Sequence, residues 1–380
     1  MSDVRIISSI NDIPAEQWHA LQLENNPFLS HAFLSALDTH DCLLKWGWQT
    51  QFVCLYEQQV LIAAIPMYLK DNSYGEFVFD FAWADAYARH GLQYYPKLVA
   101  AIPYTPATGP RLLLHKHHAS TALRSELHEA ALNHAKSTHV SSLHYLFTTP
   151  SETNELEQAG LLRRTGCQFH WQNNSYTDFN DFLSTLSSKK RKQIRKERRD
   201  VTAQNIEIEL LHGKDTQADH WVIFHDFYAS TFQRKSGYAT LTRNFFQALS
   251  QSMPEQVILV LAKHNDEYVA GTFNLLGGDT LYGRHWGCSK AFSGLHFELC
   301  YYQLIDYCIE NKIQRFEAGA QGEHKLSRGF LPTPTWSAHW LAHPEFSKVI
   351  AEFLEHEHKG MQDYIDVLGE HSPFKRSGAA

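Results

Sequence analysis

The chain lacks most of what would place it outside a reducing interior or in a membrane. Its six cysteines (Cys42, Cys54, Cys167, Cys288, Cys300 and Cys308) include no CxxC pair. A protein of 380 residues needs no disulfide staples, so they read as reduced, packed thiols. No apolar run approaches the roughly 20 residues of a membrane span. The opening MSDVRIISSINDIP has neither the basic start nor the apolar core of a secretory leader, which makes the cytoplasm the expected compartment. Positive charge is in deficit, 34 Lys and Arg against 41 Asp and Glu. That balance excludes a generally basic nucleic-acid-binding surface and confines any polyanion site to one place. A nucleophile elbow and a Ser/His/Asp order are also missing, which favours direct attack on a thioester or ester over a covalent enzyme intermediate. Histidine is abundant at 24, and His339 and His343 have the i, i+4 spacing of two ligands on one helix face. Spacings of this kind arise by chance at such abundance, and neither a metal nor a permanently bound cofactor is expected.

The chain does have aromatic residues in quantity, 23 Phe, 17 Tyr and 9 Trp, enough to require packed cores, and its length suggests two of them. A repeated order of elements supports the division. QFVCLYEQQVLIAAIPMYLK (51–70) and QVILVLAKHNDEYVAGTFNLL (256–276) each read as two apolar strands joined by a short polar turn. Each is followed by an amphipathic helix leading into a short strand, 122–137 into 141–147 and 296–312 into 313–319. The fold class is therefore mixed α/β, sheets flanked by helices, with domains at 1–178 and 179–380. The first carries an aromatic insert at 71–110, read either as a lid or as a helical piece completing the core. A surface helix is expected over 344–371 and a frayed end after it.

Two segments concentrate chemistry. In SSKKRKQIRKERR, eight of the eleven residues from Lys189 to Arg199 are basic. Like charges three and four apart repel on a helix, so an anionic ligand is expected to neutralise them. Lys189, Lys192, Lys196 and Arg199 form one stripe, with Arg191, Arg195 and Arg198 beside it. Lys189, Lys192, Arg195, Lys196 and Arg199 are the phosphate-binding candidates. In FEAGAQGEHKLSRGF (316–330), Gly319, Gly322 and Gly329 permit tight turns or close backbone approach at a strand end. There Glu323 or His324 is a candidate base, and Lys325 or Arg328 a candidate for stabilising an oxyanion. Gln321, Arg284 and His285 are expected to line the same cleft. Asp80 and Asp85 are candidates for holding an amino group, and Arg111 for meeting a carboxylate or phosphate.

NPFLSHAFLSALD (26–38), SYGEFVFDFAWADAYARHGLQYYPKL (73–98), PYTPATGPRLL (103–113), the basic segment and EAGAQGEHKLSRGFLPTPTWSAHW (317–340) together resemble the FemAB-like family of N-acyltransferases, in order and over nearly the whole chain. The resemblance implies tandem domains of the acetyltransferase (GNAT) type. It also implies transfer of an acyl or aminoacyl group to an amine, from acyl-CoA or aminoacyl-tRNA, with a small molecule or a cell-wall precursor as acceptor and tRNA as a partner. Where that fold carries a glycine-rich pyrophosphate loop this chain has CSKAFSGLHF, and no coiled-coil arm of the kind some Fem enzymes use for tRNA is present. The alternative is a non-catalytic module recognising a cell-wall or phosphate-bearing ligand, its old cleft plugged.

Overall fold

The computed structural model describes residues 2–234, 236–320 and 322–375. The chain forms two compact units, residues 1–167 with 334–363 and residues 168–333 with 364–380. They are not the two contiguous segments expected. The chain crosses between units inside the long strands Leu162–Gln172 and Leu331–Leu341 and again inside helix Pro344–Glu370, so no loop marks the boundary.

One strand order runs through both units. In the first, Asp3–Ile7, Phe52–Glu57 and Val60–Ile65 are antiparallel neighbours. Beyond Pro66 the third strand resumes as Met67–Lys70 and pairs with Lys97–Ala100. Pro66 has no N–H to give the ladder, which is where the strand leaves one sheet and joins another. Lys97–Ala100 then runs parallel to Ser142–Thr148, which pairs antiparallel with the far end of Leu331–Leu341. In the second unit Ile206–His212, Val257–His264, Glu267–Gly277 and Thr280–Cys288 are antiparallel in sequence. Thr280–Cys288 runs parallel to Arg315–Glu317, which pairs antiparallel with the 170–172 end of Leu162–Gln172.

The local signals explain the elements. Both expected hairpins turn on two residues with positive φ, Gln58 and Gln59 at 48° and 70°, Asn265 and Asp266 at 52° and 62°. This is the geometry that matches strand twist in a two-residue loop. Helix Thr121–Ser137 starts where Ser120 accepts a hydrogen bond from Leu123 N–H. It buries Leu123, Leu127, Ala131 and Ala135, a four-residue stripe against the core of the first unit. The corresponding helix of the second unit runs from Leu295 to Glu310 with a π-helical segment at Glu298–Tyr302.

The insert is integral: it supplies helix Phe81–Arg89 and the central strand Lys97–Ala100, with Trp83, Tyr87 and Tyr94 packed on Leu341, Ile350 and Leu354. His339 lies on a strand, its Nδ1 2.6 Å from Nδ1 of His144, so the two-ligand helix face with His343 does not form. Among the described residues no group of three His, Cys, Asp or Glu is placed to hold a metal ion. The end is tied down rather than frayed up to Lys375: Ser187 N–H bonds Pro373 O and Lys375 N–H bonds Thr185 O. Residues 376–380 lie outside the described residues. Among the described residues no helix is long and apolar enough to cross a membrane.

Candidate active site

In the second unit Thr280–Cys288 and Arg315–Glu317 pair only over Thr280–Tyr282 and then part. Gly283 and Gly319 face each other at the fork; a side chain added at Gly319 would sit 3.7 Å from Gly283 O. Past that point Gly283, Arg284, His285 and Trp286 on one arm and Ala318, Gly319 and Ala320 on the other are only half-buried. Arg284 is the extra residue of a β-bulge, since Phe273 pairs with His285 and Asn274 with Gly283. A bulge re-aims the side chain it carries. His285 turns the other way, onto the rings of Tyr228 and Phe246 at 5.0 and 6.1 Å. Burial and Arg284 hold it neutral, well below its usual range.

Three buried titratable groups border the fork. Glu317, the last residue of its strand, is 4% exposed. Burial pushes its carboxyl up to about 7, against the pull of Arg315 and Arg284. Its Oε1 lies 3.3 Å from Arg315 Nε without hydrogen-bond geometry, and Oε2 is 4.0 Å from His170. Burial also keeps His170 neutral, lowered to about 3. Lys325 is buried, donates to Gly319 O at 2.8 Å, and is lowered by burial to about 8. Of its three N–H donors only that one has a hydrogen-bond partner among the described residues. Cys300 stands beside it, but burial pushes the thiol up, which makes it a poor nucleophile.

The other residues of the polar loop, which forms the 3₁₀ turn Glu323–Arg328, serve differently. Arg328 is buried, bidentate to Glu197 at 3.0 Å on both oxygens, bonded to His324 O at 2.8 Å and stacked 3.4 Å over Phe297. A guanidinium so engaged braces the loop, with only its Nε lacking a hydrogen-bond partner among the described residues. Glu323 is exposed and accepts from Tyr364 Oη at 2.8 Å, away from the fork. His324 shares a 2.8 Å hydrogen bond with Tyr301 Oη, and burial with Arg328 and Lys325 lowers its pKa. Gln321 lies outside the described residues.

The basic segment is helix Ser188–Thr202, fixed to the core by Ile194 and Val201, two turns apart. One edge holds the site together: Lys190 donates to Ser327 Oγ at 2.8 Å, Glu197 takes Arg328 and Tyr302, and Arg198 pairs with Glu298 and Asp306 at 3.1 and 2.8 Å. Lys189, Lys192, Arg195, Lys196 and Arg199 are exposed, and among the described residues none makes an ion pair. Arg195 alone reaches a neighbour, Asn180 at 3.5 Å.

The candidates in the first unit are not brought to a cleft. Asp80 is buried; burial raises its carboxyl, but Lys97, with His144 and Ser73, together outweigh that and hold it at about 2. It accepts from Lys97 Nζ at 2.5 Å and Tyr94 Oη at 2.6 Å, so the amino group it holds belongs to the chain itself. Lys97 also donates to Glu76 at 2.7 Å and Ser73 at 2.8 Å. Asp85 is exposed on helix Phe81–Arg89. Arg111 is fully buried and donates to the carbonyls of Leu146, Gly109, Pro110 and Ala107. Residues 101–107 are buried beside it and Gly109 N–H bonds Phe147 O, so the chain's own loop fills the corresponding place after strand Lys97–Ala100.

Sequence reasoning missed Glu317 and Lys97. A carboxylate closing a short parallel strand just before glycine is the available signal for Glu317. Lys97 reads as an ordinary surface lysine between Pro96 and an apolar strand.

Comparison with known proteins agrees with this architecture. The model of the FemAB-like family, described as peptidoglycan biosynthesis/recognition, matches residues 9–376. No curated protein matches in sequence. FemX superposes with a TM-score of 0.56 at 10% identity, over 92% of this chain and 100% of its own. The C-terminal DUF2156 domain of an Agrobacterium fabrum protein assigned as a lysylphosphatidylglycerol synthetase gives 0.54 at 9%, over 88% of this chain and 94% of its own. A Bacteroides thetaiotaomicron protein of unknown function gives 0.50 at 13%, over 89% and 99%. At these identities the structural likeness is one of fold. With two units of one shared strand order, and the family's model matched almost end to end, the chain belongs to the FemAB-like family.

Proposed function

We propose that the chain moves an acyl or aminoacyl group from a phosphate-bearing donor, acyl-CoA or aminoacyl-tRNA, to an amine of a cell-wall precursor by direct attack at the fork of the second unit. What supports this reading is that a buried carboxylate poised near neutrality and a buried ammonium that keeps donors to spare both border one fork. Glu317 takes the proton that makes the acceptor's ammonium a nucleophilic amine. The nitrogen adds to the donor carbonyl, a C–N bond forms, and the carbonyl oxygen becomes an oxyanion facing the Lys325 ammonium. Collapse breaks the C–S or C–O bond to the donor; the leaving thiolate or alkoxide takes the second proton that the attacking nitrogen sheds in becoming an amide, and Glu317 releases its own to solvent. The family description supports the cell-wall acceptor.

These assignments set a pH profile. The base must be ionised and the ammonium protonated, so kcat/KM rises through about 7 and falls above about 8. The profile is measured with radiolabelled donors and hydroxylamine as a generic amine acceptor. Glu317→Gln removes the acidic limb and about 100-fold or more of the rate; an acidic limb retained in that variant would sink the assignment of the base.

The exposed cations of helix Ser188–Thr202 supply the donor's phosphate contacts. Reversing Lys192, Arg195 and Lys196 to Glu is expected to weaken donor binding by about tenfold or more for each phosphate left unpaired, and more steeply at low salt. Calorimetry at two salt concentrations reads this directly, and unchanged affinity removes the helix from the site.

A further inference from the structure

In residues 72–84 of the first unit the usual polarity of a surface segment is reversed. Its charged residues, Glu76 and Asp80, are buried, and the cations that meet it, Lys70 and Lys97, are buried with them. Four rings stand outside instead: Tyr74 is 72% exposed, Phe79 52%, Phe81 42% and Phe77 37%. Phe81 lies 6.0 Å from Tyr74 and 6.0 Å from Phe79, ring centre to ring centre, so these three form one cluster. Phe77 holds a φ of 62°, a conformation that bulky residues avoid. That turn leaves Glu76 inside, 2.7 Å from Lys97, and the phenylalanine ring outside. Folding gains nothing from exposed rings and loses by burying acids, so the arrangement points to an apolar partner.

The same surface narrows what that partner is. No charged side chain is exposed between Asn72 and Ala84, which leaves nothing to pair with the phosphates of a nucleic acid. The polar side chains are spent. Asn72 Oδ1 accepts from Tyr74 N–H at 2.9 Å and Lys70 Nζ at 3.3 Å, its Nδ2 donates to Asp71 and to Trp46 O, and Ser73 bonds Tyr95 and Lys97. A sugar would find rings to stack on without the polar groups that fix it in place. Together the four rings expose the equivalent of about two whole side chains, roughly 300–500 Å², against the roughly 800 Å² per partner of a stable dimer. Hydrocarbon asks for neither hydrogen bonds nor so large an area. We infer that this face docks the protein on a lipid bilayer, the phenylalanines entering the acyl boundary and Tyr74 lying at headgroup level. The turn Leu44–Trp46 adjoins it through the Asn72 contact and adds Leu44, which is strongly exposed. The inference does not depend on the chemistry of the fork.

The test is flotation of the full chain with phosphatidylcholine vesicles, which carry no net charge and no cell-wall precursor, at low and high salt. The chain is expected to float with them, and no less at high salt, because screening weakens only charged contacts. Tyr74→Ser/Phe79→Ser is expected to lower partitioning onto the vesicles about tenfold or more, with thermal unfolding unchanged. If that variant unfolds, Phe79→Asp, which places one charge in the cluster, serves in its stead. The Lys192→Glu/Arg195→Glu/Lys196→Glu protein should float like the wild type. Three results overturn the inference: no flotation with neutral vesicles, flotation that the ring variants retain, or binding confined to phosphatidylglycerol vesicles and abolished by salt, which would belong to the basic helix. A dimer in sedimentation that Tyr74→Ser/Phe79→Ser dissociates overturns it as well, by giving the face to a second copy of the chain.

Discussion

Lys325→Met is expected to lower the single-turnover rate of acyl transfer about 100- to 1,000-fold, the usual cost of removing one donor to a developing oxyanion. Donor affinity and fold should be almost untouched. The reason lies in how the lysine is held: its ammonium is buried against Gly319 O, and burial has already weakened its basicity. Methionine fills similar volume without a charge to desolvate, so thermal stability should hold or rise. Arg328→Met provides the contrast. It strips Glu197 of a bidentate partner and His324 O of a donor, so it should cost about 3–5 kcal/mol of stability, as breaking other buried ion pairs does. A Lys325→Met protein of full activity would move the chemistry elsewhere. One that is inactive only because it is unfolded would make Lys325 a structural residue.

Lys97→Met is expected to be among the most destabilising single changes in the first unit, at about 3–5 kcal/mol in urea denaturation. The lysine and its partners Glu76 and Asp80 are all buried, and the methionine leaves two carboxylates without their cation. Stability of the variant should recover as pH falls, because unpaired buried carboxyls have raised pKa values and the protonated form needs no counter-charge. Adding Glu76→Gln and Asp80→Asn to Lys97→Met should restore most of the loss. If Lys97→Met alone unfolds at the wild-type urea concentration, the three charges are not a structural unit, and Asp80 returns as a candidate for binding a ligand's amine.

These two lysines show what a sequence does and does not disclose. Both hairpins are legible because apolar runs and two-residue polar turns are local signals, and the helices because apolar residues repeat every three or four positions. Local reading also locates the loop that holds Lys325. It cannot say which of four neighbouring charged or polar residues faces the fork: Arg328 is withdrawn by Glu197, 131 positions earlier, and Glu323 by Tyr364, 41 later. Asp80 looks like a ligand group because its neutralising lysine lies 17 residues on, beyond the helix that Asp80 precedes. Arg111 looks free because backbone carbonyls leave no trace in composition. The division into units is displaced for a similar reason: the last strand of the first unit's order, supplied by residues 334–341, comes from the opposite end of the chain.

The central claim is that a phosphate-bearing acyl donor reacts at the fork of the second unit. The most direct measurement is calorimetric titration of the purified chain with acetyl-CoA, longer acyl-CoAs and aminoacyl-tRNA, beside the Lys192→Glu/Arg195→Glu/Lys196→Glu variant. The account predicts saturable binding of one donor class by the wild-type chain and its loss in the variant. Failure of every donor to bind, or equal binding by both proteins, would contradict it.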